Sequence, residues 1–132
     1  MEEGESCSAR RELTALVVDD QEVLRRIHGR LLKDVGVSHV EAARNGKEAI
    51  DIHRGGQSFD LILMDLDMPV MNGIQATRGL RAMGVRSKIA GVSARNEGEG
   101  VKEFQEAGLD LLFPKPLTTL HLSSLVTQIK PL

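Results

Sequence analysis

Apolar residues along this chain fall into five short runs, separated by segments in which they recur at helical spacing. The first run, Leu13 to Val18 (LTALVV), stops at two acids, Asp19 and Asp20. The third, Asp60 to Asp65 (DLILMD), is apolar throughout its middle and ends in a carboxylate. An unbroken apolar run of that length reads as a strand buried on both faces, as in a parallel sheet. His39–Ala43, Ser87–Ala94 and Leu109–Phe113 are the other expected strands.

Between them the period changes. Leu24, Ile27, Leu31 and Val35 predict a helix over 21–35, with Asp20 as N-cap and Gly36 as its stop. Asn45 and Glu48 have the spacing of a capping box, which predicts a helix to Arg54. Ile74, Thr77, Leu80 and Met83 mark one face of a third helix. A fourth over 95–107 is weakened by Gly98 and Gly100, and Thr118 or Thr119 caps a fifth carrying Leu122, Leu125, Val126 and Ile129. Strand and helix thus alternate, the pattern of βαβ units and of an α/β fold with helices on both faces of a parallel sheet.

Composition narrows the picture. At 132 residues, with 41% hydrophobic positions, the chain suits one domain, expected over 13–132 behind a polar, mobile tail at 1–12. Three Phe and no Trp or Tyr require an aliphatic core. A net charge of −2 argues against a nucleic-acid partner. The single cysteine, Cys7, has no partner for an internal disulfide, which suits a reducing compartment. The first residues lack a secretory apolar core, and no run approaches the ~20 residues needed to cross a bilayer. The expectation is a monomer in the cytoplasm, with the nucleus as a second location, and no membrane partner.

Chemistry gathers where the strands end. Asp19 and Asp20 follow the first strand, Asp65 ends the third, Ser93 lies at the end of the fourth and Lys115 follows the fifth. In open α/β sheets, ligands bind at the carboxyl ends of the strands. Singly, each residue has a plainer reading: a helix cap, a strand serine, a surface lysine. Jointly they do not. Like charges ~4 Å apart cost about 4 kcal/mol at an effective dielectric of 20. A hard cation such as Mg²⁺ relieves that repulsion. Carboxylates, Mg²⁺, an ammonium and a hydroxyl together suit a phosphoryl group.

These residues carry a resemblance. VVDD (Val17 to Asp20), NGKEAI (Asn45 to Ile50), DLILMDLDMPVMNG (Asp60 to Gly73), the small-residue strand ending at Ser93 and Lys115-Pro116 are similar to the receiver domain of two-component response regulators. The resemblance covers residues 13 to about 130. It implies a flavodoxin-like (βα)5 fold, a five-stranded parallel sheet of order 2-1-3-4-5. It implies that Asp65 accepts a phosphoryl group from a phosphohistidine, the donor being a histidine-phosphotransfer protein or a histidine kinase. By the same resemblance Asp20, Asp65 and the backbone carbonyl of Asp67 ligate Mg²⁺, Asp19 acts through metal-bound water, and Ser93 and Lys115 contact the phosphoryl oxygens. A cis Lys115-Pro116 bond is also implied. RRIHGRLLK, the DLILMD strand and IAGVSA are similar to plant type-C, stand-alone regulators, which suggests cytokinin-type signalling without an output domain.

The chain departs from the family pattern in having Leu112 three residues before Lys115, where an aromatic is common. Phe113 points to the other face of the strand by alternation. Arg95 and Asp67 each lie two residues beyond a site residue, close enough to alter the lifetime of a phosphoryl group. Asp65-Leu66-Asp67 also matches the DxD of haloacid-dehalogenase phosphatases, so a small Mg²⁺-dependent phosphatase is the rival reading. A partner-binding module that is never phosphorylated is the third. The acid pair before the Asp65 strand favours a self-modifying receiver rather than an enzyme with external substrates. His28, His39, His53 and His121 match no zinc spacing and are expected in surface or packing roles, and Met64, Met68 and Met71 in core and loop packing.

Overall fold

The computed structural model describes residues 12–95 and 97–129. The tail expected at 1–12 thus lies, apart from Glu12, outside the described residues, with Cys7 in it. Five strands and five helices alternate among the described residues: β1 Leu13–Val18, α1 Glu22–Asp34, β2 Val37–Ala43, α2 Gly46–Arg54, β3 Leu61–Asp65, α3 Gly73–Ala82, β4 Lys88–Ser93, α4 Glu99–Glu106, β5 Leu111–Pro114 and α5 Thr119–Ile129. The strands form one parallel sheet of order β2-β1-β3-β4-β5. Among the described residues no helix is long and apolar enough to cross a membrane.

Alternate residues of the central strands feed two cores. Leu16, Val18, Ile62 and Met64 face Ala49, Ile50, Ala76, Leu80 and Phe104 of α2, α3 and α4. Ala15, Val17, Leu61 and Leu63 face Leu32, Leu122 and Leu125 of α1 and α5. Burial on both sides is why β1 and β3 read as unbroken apolar runs. Leu112 packs with the first core and Phe113 with the second, as strand alternation requires.

Register places the site. Val18 pairs with Met64, so Asp19 and Asp65 stand level at the carboxyl edge. Asp65 pairs with Val92, and Ser93 with Pro114, so Ser93 and Lys115 follow within a residue of that level. The Lys115-Pro116 peptide is cis.

Several expectations need correcting. The N-cap of α1 is Gln21, not Asp20, and no side chain caps it. The Asp19 carboxylate turns the chain instead, its Oδ1 accepting from Gln21 N at 2.9 Å, while Asp20 stands with the site. The buried residues of α1 are His28 and Leu32, and Ile27 is exposed, because α1 is rotated toward α5 and the second core. Met83 is exposed as the C-cap of α3. β2 starts two residues early, at Val37. β5 starts at Leu111, because Asp110 turns its carboxylate to Ile89 N and Arg81. Gly98, at φ +109°, holds a conformation that side chains resist, so α4 opens only at Glu99. In the Asn45 box, the Asn45 side chain accepts from Glu48 N as expected, but Glu48 reaches back to Arg44 N, one residue beyond the cap.

The histidines take packing and surface roles. His53 meets Phe59 edge-on, His121 stacks on Phe113, and His39 pairs with Glu12.

Candidate functional site: an acidic pocket with one ammonium

Asp65 is nearly buried at the last position of β3, and Asp19 and Ser93 are buried beside it. Ligand atoms of Asp19, Asp20 and Asp65 all lie within 4.8 Å of one another. Lys115 enters from beyond β5, with Nζ 2.9 Å from Asp65 Oδ1 and 3.5 Å from Asp19 Oδ2.

The backbone around these groups is held closely. Asp19 N donates to Ala43 O, its carbonyl accepts from Arg25 Nη1 at 2.9 Å, and Lys115 N donates to Ser93 O at 3.0 Å. Arg25 was not legible as a site-supporting residue in the sequence, because a donor six residues along the chain has no local motif. Gly73 N donates to Leu66 O, and a side chain at Gly73 would overlap the Asp65 carbonyl and press on the Phe104 ring. The opening of α3 can lie against the end of β3 only with glycine there.

Burial sets the electrostatics. It pushes the Asp65 carboxyl up to about 6; the Lys115 hydrogen bond pulls against this, and the Asp19 charge adds to it. Burial lowers the Lys115 pKa, but the hydrogen bond it donates to Asp65 and the charges of Asp65 and Asp19 outweigh it, so the ammonium is held more firmly than usual. Burial also lowers His28, the Asp19 charge opposing it. A desolvated carboxylate with two more acids inside 4.8 Å and one shared ammonium remains short of positive charge. That donor set, all carboxylate oxygen, suits a hard divalent cation such as Mg²⁺.

All six residues singled out in the sequence stand at this edge, with Asp67 at its rim. The Asp67 side chain is turned outward, Oδ1 accepting from Arg95 Nη2 at 2.8 Å, and both side chains are more than half exposed. The Asp67 carboxylate is therefore engaged with Arg95 and is not part of the cluster formed by Asp19, Asp20 and Asp65. Ser93 Oγ accepts from Arg95 N at 2.9 Å, which leaves the hydroxyl hydrogen as its donor.

The family model for the response regulator receiver domain matches residues 15–127. Two-component response regulator 24 of Arabidopsis thaliana is 54% identical over 122 residues, covering 92% of this chain and 86% of that protein. Two-component response regulator ARR22 of Arabidopsis thaliana is 42% identical over 119 residues, 89% of this chain and 83% of that one. Among solved structures, the receiver domain of the putative response regulator NarL from Mycobacterium tuberculosis superposes with a TM-score of 0.81, at 23% identity, over 92% of this chain and 99% of that one. The last likeness speaks to the fold alone.

Proposed function

This chain belongs to the response regulator receiver domains, of the plant two-component kind, and from that premise we propose that it takes a phosphoryl group from a phosphohistidine onto Asp65. The observation that carries this reading is the buried Asp65 carboxylate, 2.9 Å from one ammonium and grouped with two further acids at the carboxyl edge of the sheet.

An Asp65 carboxylate oxygen attacks phosphorus as the P–N bond of the donor breaks. The imidazole nitrogen leaves with the electron pair and takes a proton from solvent. With a pKa of about 6, Asp65 is mostly ionised at neutral pH and thus able to attack. The Lys115 ammonium and the Ser93 hydroxyl then hydrogen-bond the transferred oxygens, which stabilises charge as it spreads over them. Asp20, Asp65 and the Asp67 carbonyl would hold Mg²⁺, with Asp19 acting through water, and the ion when bound would neutralise charge on the carboxylates and the incoming phosphoryl group. The product is a self-modified signalling domain.

A histidine-phosphotransfer protein or a histidine kinase is the donor this chemistry calls for, and we propose cytokinin-type signalling as its setting, the relatives being plant two-component response regulators. Incubation with a phosphorylated histidine-phosphotransfer protein and Mg²⁺ tests the reading. Label moves to this chain stoichiometrically and does not move to Asp65→Ala. Many equivalents of phosphate released per chain would point to an external-substrate phosphatase instead.

A further inference from the structure

Arg95 touches three parts of the molecule. Its backbone N donates to Ser93 Oγ, its guanidinium pairs with Asp67 on the β3–α3 loop, and its side chain walls a groove of about 270 Å³ with Gln105, Leu112, Phe113 and Pro114. The groove lies between α4 and β5, outside the acidic pocket. Gly100 leaves the room the guanidinium uses: a Cβ there would stand 3.2 Å from Arg95 Nη1.

We propose that Arg95 couples the charge on Asp65 to this groove, held by Asp67 in the unphosphorylated chain and drawn to the phosphoryl group once one is present. The inference rests on the receiver reading of Asp65. The Arg95–Asp67 pair is more than half exposed on both sides, so it is weakly held. A phosphoryl group brings roughly two negative charges and three strong acceptors, and a guanidinium binds such groups by short, charge-assisted bonds. The phosphoryl group would stand on Asp65, two residues from the present partner and beside Ser93, to which the Arg95 backbone is already tied. A guanidinium drawn to it leaves Asp67 and takes one wall of the groove with it. Leu112 lines the groove with Arg95 and packs against the first core, so it feels that wall move.

The probe is Mg²⁺ with beryllofluoride, a phosphoryl mimic, followed by NMR on the full chain. The Leu66 amide, next to Asp65, reports the site, and the Leu112 methyls report the groove. In the wild type both shift. In Arg95→Gln the Leu66 amide still shifts and most of the Leu112 response is lost. In Asp67→Asn the Leu112 methyls move toward their beryllofluoride position before any is added. A Leu112 response that is absent in the wild type, or undiminished in Arg95→Gln, overturns the coupling and leaves the receiver reading intact. A wild-type Leu66 amide that does not respond overturns both.

Discussion

Lys115 Nζ lies 2.9 Å from Asp65 Oδ1 and 3.5 Å from Asp19 Oδ2, so one ammonium is shared by carboxylates from the ends of two different strands. It is the cation that makes burial of the acids tolerable, and the two sides of the contact respond to substitution in opposite directions.

Lys115→Met leaves Asp65 and Asp19 buried without their partner. Breaking a fully buried pair costs about 3–5 kcal/mol; with Lys115 still partly exposed, a loss of about 2 kcal/mol is expected at pH 7.5. The loss shrinks at pH 4.5, where Asp65 is protonated and needs the ammonium less. Urea unfolding at the two pH values checks this, and equal losses at both would contradict it.

Asp65→Asn acts the other way. The folded-state pKa of about 6 lies above the ordinary 3.8. Between those values the unfolded chain has released its proton while the folded chain retains it, so this group's contribution to stability falls as pH rises through the window. A difference of that size corresponds to roughly 3 kcal/mol, and solvent screening reduces it to on the order of 2 kcal/mol. Without divalent metal, Asp65→Asn is therefore more stable than the wild type by about that amount at pH 7.5. The two converge near pH 3.5. Chemical denaturation across that range gives the answer; a less stable variant at pH 7.5 would remove burial as the cause.

Mg²⁺ stabilises the wild type. At tenfold excess over its dissociation constant a ligand adds about 1.4 kcal/mol, or roughly 3–6 °C in Tm for a domain of this size. Asp20→Ala abolishes the shift, and in the wild type the affinity weakens below pH 6 as Asp65 takes up a proton. Thermal scans with and without Mg²⁺ read both effects. A shift retained in Asp20→Ala would take Asp20 out of the metal site.

Gly73→Ala places a methyl group on the Asp65 carbonyl and the Phe104 ring. Overpacking of this kind costs about 1–3 kcal/mol. Because it displaces the end of β3, phosphoryl transfer falls as well. A variant with unchanged stability in urea would show that α3 can back away from Asp65.

The sheet and the pocket were legible because their signals are local. Burial on both faces writes β1 and β3 as apolar runs, and the register then carries Asp19, Asp65, Ser93 and Lys115 to one edge without further information. What escaped the sequence depends on distant atoms. The rotation of α1 that exposes Ile27 and buries His28 is set by α5. The late start of β5 reflects Asp110 being taken by Arg81 and Ile89, and Asp67 was visible as a nearby acid but not as the partner of Arg95. Ion pairs between loops leave no periodicity to read.

Chemical trapping of the modified residue shows whether Asp65 is the phosphoacceptor. After phosphotransfer, borohydride reduces an aspartyl phosphate to homoserine, and peptide mass spectrometry locates it. Homoserine is expected at position 65, in yield matching the phosphoryl label, and none in Asp65→Asn. Homoserine at another aspartate, or equal labelling of Asp65→Asn, would contradict it.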